Sequence, residues 1–170
     1  MIKSIFAVDH WGGMGFNGSL PWPHHSEDMA YFKEQTEGGI IIMGRRTWDD
    51  PKMPKPLQGR KTYVVTNRPI FGYDIRTIKG DIVESIKNIR NNNPNKTIWI
   101  IGGPEILMAT KDLVDEVHIT HFKGQFRTDT KIDLRKYLNV FQARSAAPSA
   151  DKKCSWMTYK NVDIFRSIHL

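Results

Sequence analysis

Along the chain, short unbroken apolar runs alternate with stretches of mixed polarity. IKSIFAV (2–8), IIIM (40–43), TYVVT (62–66), TIWII (97–101) and EVHITHF (116–122) read as strands, rich in β-branched and aromatic residues. Between several of them lie helical patterns: SEDMAYFKEQT (26–36), a short turn from about Thr47, DIVESIKNIRN (81–91) and PEILMATKD (104–112). All-apolar strands separated by helices predict a mainly parallel sheet covered on both faces. After Tyr137 the pattern changes to two or three strands without helices between them, the last across 154–166, which suits an antiparallel edge. No linker, repeat or low-complexity tract interrupts the pattern, and 170 residues suit one domain spanning 1–170.

Two of these strands run into glycine and then into a helix start. In IIIMGRRTW (40–48), Gly44 lets a ligand approach the backbone, the N–H groups from Thr47 onward are free donors, and Arg45 and Arg46 add guanidinium forks suited to phosphate. TIWIIGGPE (97–105) repeats the arrangement, with Pro104 at the first helical position. Two such junctions at the carboxyl end of one parallel sheet predict a cleft for an elongated phosphorylated ligand. GMGFNG (13–18) spells a dinucleotide fingerprint, yet Pro21 and Pro23 follow where a helix should open, and no acid closes a second strand about 20 residues on. The phosphates are therefore expected at Gly44 and Gly102.

LPWPHHSEDMAYFK (20–33) offers a carboxylate. With Ser26 as the expected N-cap, Asp28 and Phe32 share one helix face and Glu27 and Tyr31 a neighbouring one, behind Trp22 in a proline-stiffened loop. Asp28 beside Phe32 and Trp22 would be partly desolvated and could bond a cationic or amidine-like edge of a heterocycle, although first-turn acids are usually plain partners of the helix dipole. No metal site is expected: His118 and His121 point to opposite faces of a strand, and His24 and His25 are expected exposed, without partners at ligand spacing. Cys154, the single cysteine, reads as a small core side chain and is compatible with a reducing compartment.

Charge leaves two partner classes open. Lys and Arg number 25 against 18 Asp and Glu, a formal net charge of +7 that draws polyanions, either nucleic acid or a phosphorylated small molecule. The arginines gather at strand ends beside glycine and form no aromatic-interleaved stripe, which disfavours nucleic acid. The longest aliphatic runs are four residues, too short to span a bilayer, and the N-terminus lacks a secretory pattern, so a cytoplasmic location is expected.

Taken in order, IFAVDHWGGMGFNGSLPW, DMAYFK, IIMGRRTW, LQGRKTYVVTNR, IIGGPEIL and VHITHF resemble the dihydrofolate reductase family over most of the chain. The resemblance implies a three-layer α/β sandwich, with an eight-stranded, mostly parallel mixed sheet and about four flanking helices. It implies reduction of dihydrofolate by hydride transfer from NADPH, in a protein more often monomeric than dimeric. By the same resemblance Asp28 holds the pterin ring, assisted by Trp22 through a water and by Thr120 through a direct bond, while Leu20 sits at the tip of a loop closing over the nicotinamide. Ile5, Ala7, Phe32 and Ile101 would line the pterin and nicotinamide site, Leu57 would pack on the benzoyl ring, and Arg60 would pair with the glutamate α-carboxylate. The cofactor residues would be Ala7, Met14, Gly15, Leu20, Gly44, Arg45, Arg46, Thr47, Thr66, Asn67, Arg68, Ile101, Gly102, Gly103, Glu105, Ile106 and Leu107, with the Gly102–Gly103 peptide cis.

The chain departs from the family pattern in PHHSE, which makes the stretch between Trp22 and Asp28 one residue longer than the commoner spacing and Glu27 a rival to Asp28. It departs also in Leu107, where many members carry Tyr, and in a longer PKMPKP segment. A reductase of this fold acting on a pyrimidine intermediate of riboflavin synthesis is the competing enzyme reading.

Overall fold

The computed structural model describes residues 1–163. Eight strands form one sheet: β1 (Ile2–Val8), β3 (Ile40–Gly44), β4 (Lys61–Val65), β5 (Arg76–Ile78), β6 (Ile98–Gly102), β7 (Glu116–Phe122), β9 (Phe141–Pro148) and β10 (Cys154–Asn161). Their spatial order is β5-β4-β3-β6-β1-β7-β10-β9. The first six run parallel, and β10 and β9 add an antiparallel edge. A separate two-stranded ribbon pairs β2 (Gly13–Gly15) with β8 (Thr130–Lys131). The expected mixed, mostly parallel sheet is therefore present. The helices are α1 (Ser26–Thr36), α2 (Arg45–Trp48), α3 (Ile82–Asn92), α4 (Pro104–Thr110) and α5 (Leu134–Tyr137).

Alternation along the buried strands sends successive residues into two different cores. Ile40 and Ile42 of β3, Ile98 and Ile100 of β6, and Val117 and Ile119 of β7 face one core, which also holds Ile86 of α3 and Leu107 of α4. Ile41, Met43 and Trp99 face the other, with Ile5, Trp48 and Leu57, and against it pack Tyr31 and Phe32 of α1. Burial on both faces is why these strands are apolar without a break. Strand β9 is exposed over most of its length, as an edge strand is, and after Phe141 its sequence FQARSAAP carries only small and polar residues and a final proline.

Some local expectations are corrected. The short helix begins at Arg45, so its leading N–H groups are those of Arg45, Arg46 and Thr47. β5, the β2–β8 ribbon and α5 went unread because each is four residues or shorter, too brief for a period to show. The final strand ends at Asn161; the part of the expected strand over 164–166 lies outside the described residues. No helix among the described residues is long and apolar enough to cross a membrane.

Candidate active site

One face of the three central strands carries most of the predicted substrate residues. Ile5 and Ala7 lie on β1, Ile101 on β6 and Thr120 on β7, with Ala7 and Thr120 directly opposed in the β1–β7 register. Helix α1 crosses this face and brings Asp28 and Phe32 to it from the same side, one turn apart. Asp28 is only 5% exposed. Its Oδ1 accepts two hydrogen bonds, from Thr120 Oγ1 at 2.8 Å and from Trp156 Nε1 at 3.0 Å. Among the described residues none donates to Oδ2. A buried carboxylate with one oxygen held by two donors can offer the other to a ligand that brings its own N–H groups.

The surroundings of Asp28 are aromatic and fixed. Trp22 is buried and stacks on Phe122 with centroids 4.3 Å apart; it makes no direct bond to Asp28. Tyr31 stacks on Trp156 at 5.0 Å and bonds His118 Nδ1 at 3.0 Å. His118 Nε2 faces Glu116 Oε1 at 2.6 Å, so Nε2 carries the ring proton, Nδ1 is the acceptor, and the Tyr31 hydroxyl donates to it. Burial holds the His118 imidazole below the ordinary histidine value in spite of Glu116. Burial, then the negative charges of Asp28, Glu116 and Glu34, push the Tyr31 phenol up to about 12. Both groups are therefore neutral near pH 7.

Glu27, the rival carboxylate, turns away. Its two oxygens accept the backbone N–H of Ala150 at 3.0 and 3.1 Å, in the turn between β9 and β10. His25 is half-buried and well partnered, contrary to expectation, whereas His24 is exposed. His25, not Ser26, is the N-cap: its Nδ1 accepts the Asp28 N–H at 3.1 Å, and its Nε2 lies 2.9 Å from Asp151 Oδ2. Ligand atoms of His25, Glu27 and Asp151 lie within 4.8 Å of one another. The capping bond places the ring proton on Nε2, so a metal at Nε2 would displace that proton and turn Nδ1 from acceptor to donor against the Asp28 N–H.

At the far side of the pocket, Leu57 is buried beside Phe32, and Arg60 lies over the Phe32 ring with its guanidinium carbon 5.9 Å from the centroid. Arg60 Nε donates to Gln58 O at 3.0 Å and Nη1 to Thr36 Oγ1 at 3.1 Å. Thr36 Oγ1 in turn donates to Phe32 O at 2.8 Å, which fixes the fork to the end of α1. One guanidinium nitrogen, Nη2, has no described protein acceptor, so the fork keeps donors for a carboxylate.

The two glycine junctions are neighbours. Met43 pairs with Gly102 across β3 and β6, and the Gly102–Gly103 peptide is cis. A Cβ on Gly44 would come within 2.8 Å of Ile106 Cδ1 and 3.5 Å of Gly103 N, so a side chain there would have to push the Ile106 tip aside between the two helix starts. Arg45 pairs with Asp49 at 3.1 Å and reaches the end of β4, donating to Thr66 Oγ1 at 3.5 Å and Arg68 O at 3.4 Å. Arg46, Asn67, Arg68 and Glu105 are exposed along the same edge, and Thr47 is half-buried. This donor set, with several guanidiniums at the carboxyl ends of adjacent parallel strands, fits a phosphorylated dinucleotide. Leu107 is fully buried behind Gly102, so no hydroxyl stands there.

The glycine-rich loop differs from its expected use. Gly13 and Gly15 form β2 and pair with β8, and a Cβ on Gly13 would meet Thr128 Cγ2 at 2.5 Å and Asp9 Oδ2 at 2.9 Å. The bare backbone thus admits protein neighbours. Met14 is half-buried against the core, and Leu20, 41% exposed, projects beyond the ribbon. Ser19 Oγ donates to Asp50 Oδ1 at 2.7 Å, tying this loop to the turn after α2.

The residue missed by sequence reasoning is Trp156. It lies 128 positions from Asp28 and only the antiparallel β7–β10 register, which sets it opposite Thr120, brings the two together.

Comparison with known proteins agrees with this geometry. The family model described as dihydrofolate reductase matches residues 1–162. The dihydrofolate reductase of Bacillus subtilis (strain 168) is 34% identical over 131 residues, covering 76% of this chain and 73% of that protein. The dihydrofolate reductase of Mycobacterium tuberculosis (strain H37Rv) is 34% identical over 125 residues, covering 70% and 73%. Among solved structures, dihydrofolate reductase from Enterococcus faecalis complexed with NADP(H) and RAB-propyl superposes with a TM-score of 0.79 at 25% identity, covering 96% of this chain and 97% of that one. The fold, the matched model and these relatives together show that the chain belongs to the dihydrofolate reductase family.

Proposed function

We propose that the protein reduces dihydrofolate to tetrahydrofolate with NADPH, the reaction of its family, and so supports one-carbon metabolism and the synthesis of thymidylate and purines. The observation that carries this reading is Asp28: a buried carboxylate with Oδ1 fixed by Thr120 and Trp156 and Oδ2 left to a ligand. Such a group bonds the amino and ring N–H edge of the pterin and favours arrival of a solvent proton at N5. Trp22 assists through a water. Ile5, Ala7, Phe32 and Ile101 exclude water around the reacting ring, Leu57 packs on the benzoyl group, and Arg60 grips the glutamate α-carboxylate.

NADPH, when bound, supplies the hydride that reaches C6 of the pterin. Arg45, Arg46, Thr47, Thr66, Asn67 and Arg68 hold its phosphates and adenosine ribose, with Gly44, Gly102 and Gly103 allowing close backbone approach. Ala7, Met14, Gly15, Leu20, Glu105 and Ile106 border the nicotinamide half, Leu107 backs Gly102 from the core without reaching the ligand, and Leu20 moves with its loop. We take dihydrofolate, and neither nucleic acid nor membrane, as the partner of a cytoplasmic monomer formed by one domain; a single buried cysteine suits that reducing compartment.

The test is oxidation of NADPH, followed by loss of its nicotinamide absorbance. Loss that depends on added dihydrofolate is the expected result. NADPH binding with no turnover of dihydrofolate would rule the substrate out and favour the pyrimidine alternative.

A further inference from the structure

Trp156 stands in an unusual relation to the pocket carboxylate. It and Thr120 are cross-strand partners in the β7–β10 register, and both donate to the same oxygen, Asp28 Oδ1. The indole is held by its stack on Tyr31, which lies three residues beyond Asp28 on α1 and is itself fixed by its bond to His118. Both sides of the indole–carboxylate bond are thus locked by the sheet and by the helix. We propose that Trp156 is a positioning residue for the reduction: its Nε1–H holds Asp28 Oδ1 toward the sheet and keeps Oδ2 toward the pterin.

A donor to the charged form of an acid favours that form. Two donors on one oxygen also fix the carboxylate's rotation, which one alone would leave free about the donor axis. The ionisable groups around Asp28 are Tyr31 on α1 and Cys154 on β10, both coupled to its charge, and His25, which caps its N–H; behind Tyr31 stand His118 and Glu116 on β7, while Glu27 and Asp151 meet in the β9–β10 turn. Tyr31 and Cys154 are pushed upward by burial first, and His118 is held down by it, so these three keep their neutral forms near pH 7. The proposal rests on the dihydrofolate reading for its catalytic consequence, but the indole–carboxylate pairing can be tested without substrate.

The experiment uses the full chain labelled with nitrogen-15 and follows the five tryptophan indole N–H resonances against pH. The resonance absent from Trp156→Phe is assigned to Trp156. It should move through one transition in the unaltered protein and stay still in Asp28→Asn; a Trp156 resonance that ignores pH, or titrates equally in Asp28→Asn, overturns the pairing. Trp156→Phe keeps the ring against Tyr31 and removes only the donor, so its thermal midpoint should match the parent. Its KM for dihydrofolate should rise several-fold with a smaller change in kcat, and the pH profile of kcat/KM should be displaced from the parent's. A pH profile superimposable on the parent's overturns the catalytic role. Absence of dihydrofolate turnover in the parent would instead overturn the substrate reading, and the indole titration would still decide the pairing.

Discussion

The imidazole of His25 accepts the backbone N–H of Asp28 at 3.1 Å, so the helix turn carrying the pocket carboxylate is capped by an aromatic ring. The other nitrogen of that ring faces Asp151, whose carboxyl lies near 2, held down by the Lys153 N–H, the Ser149 hydroxyl and His25. The ring therefore ties the start of α1 to the β9–β10 turn. His25→Ala should cost about 0.5–2 kcal/mol of unfolding free energy, as loss of a cap does, with His25→Asn recovering part of it. Urea denaturation measures both, and equal stability of the alanine variant and the parent would contradict the capping role.

Stability should climb as pH rises toward the ordinary histidine value of about 6.5. His118 and His121 are both held below the ordinary histidine value by burial. Between each folded-state value and the unfolded value of about 6.5, the unfolded chain binds more protons, so stability rises with pH and is lost as pH falls. Among the described residues the His121 ring bonds only the Tyr159 hydroxyl, at 3.0 Å, and His121→Gln should flatten its share of the slope in a thermal-melt series. A parent melt independent of pH over that window would contradict this.

Gly13 has no room for a methyl group. A Cβ there would lie 2.5 Å from Thr128 Cγ2 and 2.9 Å from Asp9 Oδ2. Asp9 clamps two loops, accepting from Trp11 and Gly13 N–H with Oδ1 and from Phe126 N–H with Oδ2. Burial raises the Asp9 carboxyl, and the three backbone donors outweigh it and leave the group below its ordinary value. Gly13→Ala should destabilise by about 1–3 kcal/mol, as overpacking does. Gly18→Ala, where nothing lies within 4 Å, should cost only the strain of its positive φ, about 1–2 kcal/mol. Calorimetry of the two variants measures both, and a Gly13→Ala melt equal to the parent's would contradict the clamp.

Arg60 should govern substrate affinity more than turnover. Arg60→Gln removes a charge-assisted contact worth about 1.5–3 kcal/mol, a rise of roughly 10- to 100-fold in KM for dihydrofolate with a smaller effect on kcat. Steady-state kinetics decides it, and an unchanged KM would remove Arg60 from the substrate site.

How far the sequence speaks differs by element. The central strands are legible because burial on both faces leaves no polar position, as in IIIMG, where every residue is buried. The Asp28–Phe32 spacing is legible because a helix alone fixes it. The His25 cap was hidden behind Ser26, a residue type that caps more often, and the choice between them depends on the β9–β10 turn that receives the ring. Trp156 was hidden because strand pairing at long range decides which residues meet a helix placed over the sheet. GMGFNG misleads for the same reason: Gly13 answers to Asp9 and Thr128, and Gly15 to Thr130, contacts set by tertiary packing.

The central claim is that the Asp28 carboxylate, and not that of Glu27, supports protonation of the substrate. The most direct measurement is kcat/KM for dihydrofolate against pH in Asp28→Asn and Glu27→Gln. Asp28→Asn should lose most activity near neutral pH and recover part of it in acid, where the substrate arrives already protonated, while Glu27→Gln follows the parent. The same loss and acid recovery in Glu27→Gln, with Asp28→Asn unimpaired, would contradict the claim.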